Sequence, residues 1–148
     1  MLFRSSGPLD GNGSRSVYLK VTRMEGTRLL ETFDYPAPMA SRGSRDVSNV
    51  PTQALTLLND PFVIAEAEHS AGLLLKESAA SIDARVESLF LAALGRRPTA
   101  IERERFGGLA AELASLHQVA KADVLNSLVV WKDLAHTVFN MKEFIYVQ

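Results

Sequence analysis

At 148 residues, with 47% hydrophobic and 22% charged side chains, the chain has the make-up of a soluble globular domain long enough to bury a core. Its formal net charge of −1 argues against a generic polyanion binder, and no apolar run approaches the ~20 residues that a membrane helix needs. The absence of cysteine excludes disulfides, thiolate metal sites, cysteine nucleophiles and covalent c-type haem attachment in this chain.

Residues 1–15 are rich in glycine and serine and read as a flexible arm. Over Ser16–Arg23 the pattern alternates, with Val17, Leu19 and Val21 on one face and Tyr18, Lys20 and Thr22 on the other, which predicts a strand. Residues 24–50, punctuated by Pro36 and Pro38 and ended by Pro51, read as a long ordered loop with a short extended piece near Leu29–Phe33. From Pro51 the period becomes helical. A short helix is expected over 52–58 and a longer one over 61–76 that buries Ile64, Ala67, Ala71, Leu74 and Leu75. Between them Asn59 can take a left-handed conformation, while Asp60 can cap the second helix with Pro61 at its first position.

A third helix, 82–94, carries the stripe Val86, Leu89, Phe90, Ala93 and Leu94 and stops at Gly95. Thr99 with Glu102 three residues later forms a capping box for a fourth helix that runs to Leu116 and buries Phe106, Leu109, Leu113 and Leu116. Gly107 and Gly108 inside it either weaken the helix, at roughly 1 kcal/mol each, or admit a close neighbour. Asp123 is expected to cap a fifth helix, 124–139, with the face Leu125, Leu128, Trp131, Ala135 and Val138. Leu57–Val63 and Val138–Phe144 share an order in which an Asn terminator precedes a Phe that folds back onto the helix, and capping physics accounts for both without duplication.

Several segments carry a resemblance at ordered spacing. They are Gly7–Leu19 (GPLDGNGSRSVYL), Phe33–Pro36 (FDYP), Arg45–Pro51 (RDVSNVP), Asn49–Val63 (NVPTQALTLLNDPFV), Leu94–Thr99 (LGRRPT) and Trp131–Tyr146, which opens WKDLAH and closes NMKEFIY. Together these resemble Domain of Unknown Function family 1553, known mainly from planctomycetes and often found in large proteins that also carry cytochrome c-like domains. Ser14, where the family usually has an arginine, and Met24–Thr27, in place of a more apolar stretch, are departures. The resemblance implies that the chain corresponds to the C-terminal part of a longer exported protein, with Met1 an internal start and a periplasmic or extracytoplasmic location.

Chemistry-bearing residues are sparse. Asp10–Ser14 starts like a calcium loop, but Arg15 and Val21 stand where the pattern needs Gly and Glu, so a glycine-rich turn is the better reading. His69, His117 and His136 lack the paired spacing of a metal site; His69 is expected at a helix surface and His136 to bond a neighbouring loop. Arg15, Arg42 and Arg45 could form an anion or partner site, with Arg42 and Arg45 as its candidate residues, or else pair with Asp34, Asp46 or Asp60. Asp34 beside Tyr35-Pro36 reads as a turn residue. Trp131 could stack on a haem or sugar, but a Trp on an apolar stripe belongs first to a core.

The sequence therefore predicts a mainly α protein, an irregular bundle of about five helices with an N-terminal strand and a long ordered loop. Its organisation is an arm (1–15), a strand and loop (16–50) and a helical domain (51–148), with 16–148 one fragment of a larger domain. The expected role is a non-catalytic structural or interaction module with no catalytic, metal or cofactor residues of its own. Its partner is the missing N-terminal portion or associated domains of the same protein, with no nucleic acid and no membrane span. The alternative is part of an extracytoplasmic enzyme of polysaccharide breakdown or cytochrome-linked redox chemistry. As a fragment, the chain should self-associate through an apolar patch at Val17, Leu19 and Val21. A monodisperse monomer by light scattering, with amides protected throughout Ser16–Arg23, would overturn the fragment expectation.

Overall fold

The computed structural model describes residues 28–35, 43 and 50–145. The chain divides into two compact units, Met1–Thr56 and Leu57–Gln148. The described elements are α1 (Arg28–Thr32), α2 (Pro51–Asn59), α3 (Pro61–Lys76), α4 (Ile82–Leu94), α5 (Ala100–Leu116), a 3₁₀ turn (Val124–Asn126), α6 (Leu128–Phe139) and α7 (Lys142–Ile145). The fold is mainly α, as the helical periodicity predicts. The strand expected at Ser16–Arg23 and the arm before it lie outside the described residues.

In the first unit, the extended piece expected near Leu29–Phe33 is instead the single helical turn α1. Its Arg-Leu-Leu-Glu run favours helix, and its end is a Schellman motif. Asp34 is left-handed (φ 59°), its N–H reaches the Glu31 carbonyl at 3.3 Å, and the Tyr35 N–H reaches the Leu30 carbonyl at 2.9 Å. Asp34 is thus a turn residue, as its place before Tyr35-Pro36 suggests. Buried Gln53 on α2 donates from Nε2 to the Thr32 carbonyl at 3.1 Å, satisfying an acceptor that α1 leaves open.

In the second unit the core is built from α3, α4, α5, α6 and the 3₁₀ turn. The principal helix pair is α3 with α6, where Ala67, Ala71 and Ala135, all fully buried, add little bulk between the backbones. Helices α4 and α5 pack on α6 and on each other. Trp131, Phe90, Leu134, Val86, Val130 and Val138 are fully buried, and such burial is worth roughly 1.5–3 kcal/mol for each aliphatic or Phe side chain. Phe90 of α4 meets Phe106 of α5 edge to face, with centroids 4.9 Å apart.

The helix junctions follow the expected capping, with corrections at Asn59, Asp123 and Asn140. Asp60 is extended (φ −71°, ψ 126°) and its carboxylate accepts the Phe62 N–H at 2.9 Å, with Pro61 at the first position of α3. Asn59 does not turn left-handed; it ends α2 in helical conformation, because the residue before a proline is the one driven out of the helix, and that residue is Asp60. Gly95 ends α4 at φ 69°, and the Thr99–Glu102 capping box opens α5 with both reciprocal bonds formed. The fifth expected helix is broken: Val124–Asn126 is a 3₁₀ turn, Asp123 makes no side-chain cap, and α6 begins at Leu128. Asn140 ends α6 without a left-handed residue, its Nδ2 donating to the His136 carbonyl at 2.8 Å. Phe144 does fold back, stacking on Phe139 at 4.7 Å.

The buried faces are shifted from the expected ones wherever the 3.6 period offers two adjacent rows. In α3 Val63 is buried, Leu75 is half-buried and Ile64 is exposed. In α5 the buried row is Phe106, Ala110 and Ala114; Leu109 and Leu113 are half-buried and Leu116 is 73% exposed. In α6 the row is Val130, Trp131, Leu134, Ala135 and Val138, with Leu128 exposed and Leu125 half-buried, because the 3₁₀ turn resets the phase.

Gly107 and Gly108 are helical, and a Cβ on either meets nothing within 4 Å among the described residues, so here they weaken α5 rather than admit a neighbour. The end of α5 is a second Schellman motif, with Gln118 left-handed (φ 56°), its N–H on the Ser115 carbonyl and the Val119 N–H on the Ala114 carbonyl at 2.8 Å. Gly108→Ala should stabilise by about 0.5–1 kcal/mol, and Gln118→Gly by a similar amount through relief of the left-handed strain. Urea denaturation midpoints check both. A destabilising Gly108→Ala would show that this face of α5 is tightly covered.

Candidate functional site

Four polar constellations stand out among the described residues, and each includes a group at a helix end. The most buried centres on Arg85, which is 2% exposed. It sits one residue before Val86 on α4, so the helical spacing that buries Val86 and Leu89 carries Arg85 inward as well. Its Nη1 donates to the Leu74 carbonyl at 2.6 Å and its Nη2 to the Glu77 carbonyl at 3.3 Å, both at the C-terminal end of α3. The guanidinium carbon lies 5.7 Å from the Trp131 ring centroid. Among the described residues no carboxylate reaches it, and Nε has no partner. The charge is compensated by the negative end of the α3 dipole, by two carbonyls and by an aromatic face. Trp131, fully buried, donates from Nε1 to the Val124 carbonyl at 2.9 Å. It is a core residue with no face open to a haem or sugar.

The second constellation is a hub on Arg96, just past the end of α4. Nη1 and Nη2 grip the Glu102 carboxylate at 2.9 and 2.8 Å, while Nε and Nη2 grip Glu143 at 2.7 and 2.6 Å. The same guanidinium lies over Phe90, 5.6 Å from its centroid. Arg96 thereby ties the α4–α5 junction to α7, a four-residue helix too short to persist alone. The hydrogen bonds from Arg96, followed by that from the Thr99 backbone N–H, hold the Glu102 carboxyl down at about 2. Arg96 likewise lowers Glu143, and the two carboxylates raise the guanidinium further above its ordinary range.

The remaining two involve histidines. His117, at the end of α5, places Nε2 2.7 Å from the Asp133 carboxylate on α6, and Lys132 Nζ lies 4.0 Å from the other carboxylate oxygen. The pair is partly exposed; among the described residues no three His, Cys, Asp or Glu side chains converge as a metal site. His136, half-buried on α6, has Nε2 3.0 Å from the Leu57 carbonyl, so Nε2 carries the proton and donates to the last turn of α2 rather than to a loop. His69 is exposed on α3, as expected.

The candidate pair Arg42 and Arg45, together with Arg15 and Asp46, lies outside the described residues. Of the acids proposed to pair with them, Asp60 spends an oxygen on the α3 cap and Asp34 is half-buried at the α1 turn. Arg85, Arg96, Asp133 and Glu143 were not singled out from the sequence. Arg85 has a legible signal, a charge set inside an apolar stripe; Arg96 and Glu143 stand in the resembling segments LGRRPT and NMKEFIY, but no sequence signal pairs them across 47 residues. A depression of about 550 Å³, open to solvent, runs along α5 past Ile101, Glu104, Arg105, Gly108, Leu109 and Glu112, on a single helix. No described helix is long and apolar enough to cross a membrane.

Among comparisons with known proteins, a family model described as PSD1, protein of unknown function (DUF1553), matches residues 5–110. That span contains the resembling segments from Gly7 to Thr99 and stops before Trp131–Tyr146. No curated protein and no solved structure matches the chain.

Two outcomes test these constellations. Arg85→Ala should cost about 3 kcal/mol in urea denaturation, with Arg85→Lys intermediate because an ammonium lacks the fork that spans both carbonyls; equal stability of Arg85→Lys and wild type would refute the two-carbonyl role. For Glu102, a depressed carboxyl stabilises the fold above its ordinary value of 4.5, and that contribution is lost as pH falls from 4.5 towards about 2. In that window the denaturation midpoint of Glu102→Gln should fall less steeply with acid than that of the wild type.

Proposed function

Because the chain belongs to the PSD1 family of proteins of unknown function (DUF1553), we propose that it serves that family as a non-catalytic structural or interaction module within a longer bacterial protein. The observation that carries this reading is how the polar side chains are used. Gln53, Arg85, Trp131, His136 and Asn140 donate to main-chain carbonyls at or beside helix ends, and Asp60, Ser81 and Thr99 accept from the opening turns of α3, α4 and α5. Groups committed in this way hold helices together and are not at the disposal of a substrate. The planctomycete, cytochrome c-associated and extracytoplasmic setting is part of the same proposal and rests on the family resemblance alone.

Arg42 and Arg45 are the positions at which the module would meet an anionic group of a partner or of the rest of its own protein. The decisive experiment uses the longer protein that the reading requires. Deleting the region equivalent to these residues should lower the solubility and melting temperature of the remainder. The double variant Arg42→Ala/Arg45→Ala should leave any turnover of that protein within about twofold. Loss of turnover in the double variant, at unchanged melting temperature, would establish the alternative of an enzyme whose site the module shares.

A further inference from the structure

We draw no further inference here: the strongest candidate, the open face of α5 around Ile101, Arg105, Gly108 and Glu112, is an unpartnered helix surface, and nothing among the described residues shows what covers it.

Discussion

The second unit is organised around a buried positive charge. Taking a guanidinium out of water is costly unless its protons are met, and Arg85 meets this cost with main-chain carbonyls instead of a carboxylate. That choice has structural consequences. The carbonyls are available only where α3 ends, so the loop after Lys76 must bring α4 back beneath that terminus. The ring of Trp131 must lie beside the guanidinium, which fixes the rotation of α6 about its axis. Three helices are placed by one side chain, and the apolar packing of Val86, Phe90, Val130, Leu134 and Val138 fills in around it. Hydrophobic burial supplies most of the energy, being proportional to area and non-directional. Arg85 supplies direction.

The same economy recurs along the chain. A helix leaves four donors and four acceptors open at its ends, and a chain divided into short helices has many such ends to satisfy. Here the solutions are side chains drawn from neighbouring elements as often as from the local sequence. Gln53 closes the end of α1, His136 that of α2 and Arg85 that of α3, whereas Asp60, Ser81 and Thr99 are local caps. Arg96 extends the device by using the capping-box glutamate of α5 as one of its two anionic partners, so the start of α5 and the docking of α7 share a single guanidinium. Exposed ion pairs are individually weak, but a fork held by two carboxylates and an aromatic face is a constrained network.

This use of polarity bears on function more than any single residue does. A catalytic constellation needs titratable groups that converge on a space where a reacting atom can sit. The His117–Asp133 pair has the chemistry of a base and its orienting acid and lies partly exposed between α5 and α6, yet among the described residues no three His, Cys, Asp or Glu side chains converge there or elsewhere. Membership of a family of unknown function names relatives without naming an activity. A structural or interaction module is the reading in which the helix-end hydrogen bonds and the Arg96 hub are the purpose of the sequence and not merely its background.

Local signals in the sequence carried a good deal of the fold. The starts of α3 and α5, the stop at Gly95, the turn at Asp34 and the burial of Trp131 were legible because each depends on a few adjacent residues: a proline beside a capping acid, a glycine after an apolar stripe, a Thr-x-x-Glu box, a Trp within a helical period. The break before α6 was not, since a 3₁₀ turn and a helical turn share nearly the same apolar spacing. Nor could periodicity choose between Ala110–Ala114 and Leu109–Leu113 as the buried row of α5, because both fit a 3.6 repeat and the decision belongs to the helix packed against it. The candidate pair Arg42 and Arg45 stays a reading of the sequence. By itself, then, the sequence determined the helical class, most of the helix ends and the family. Only the tertiary structure decided which face of each helix is buried and which distant residues meet, such as Arg85 with the end of α3, Arg96 with Glu143 and His117 with Asp133. Those contacts join residues whose separation along the chain leaves no periodic trace, and they exist only once the helices have packed.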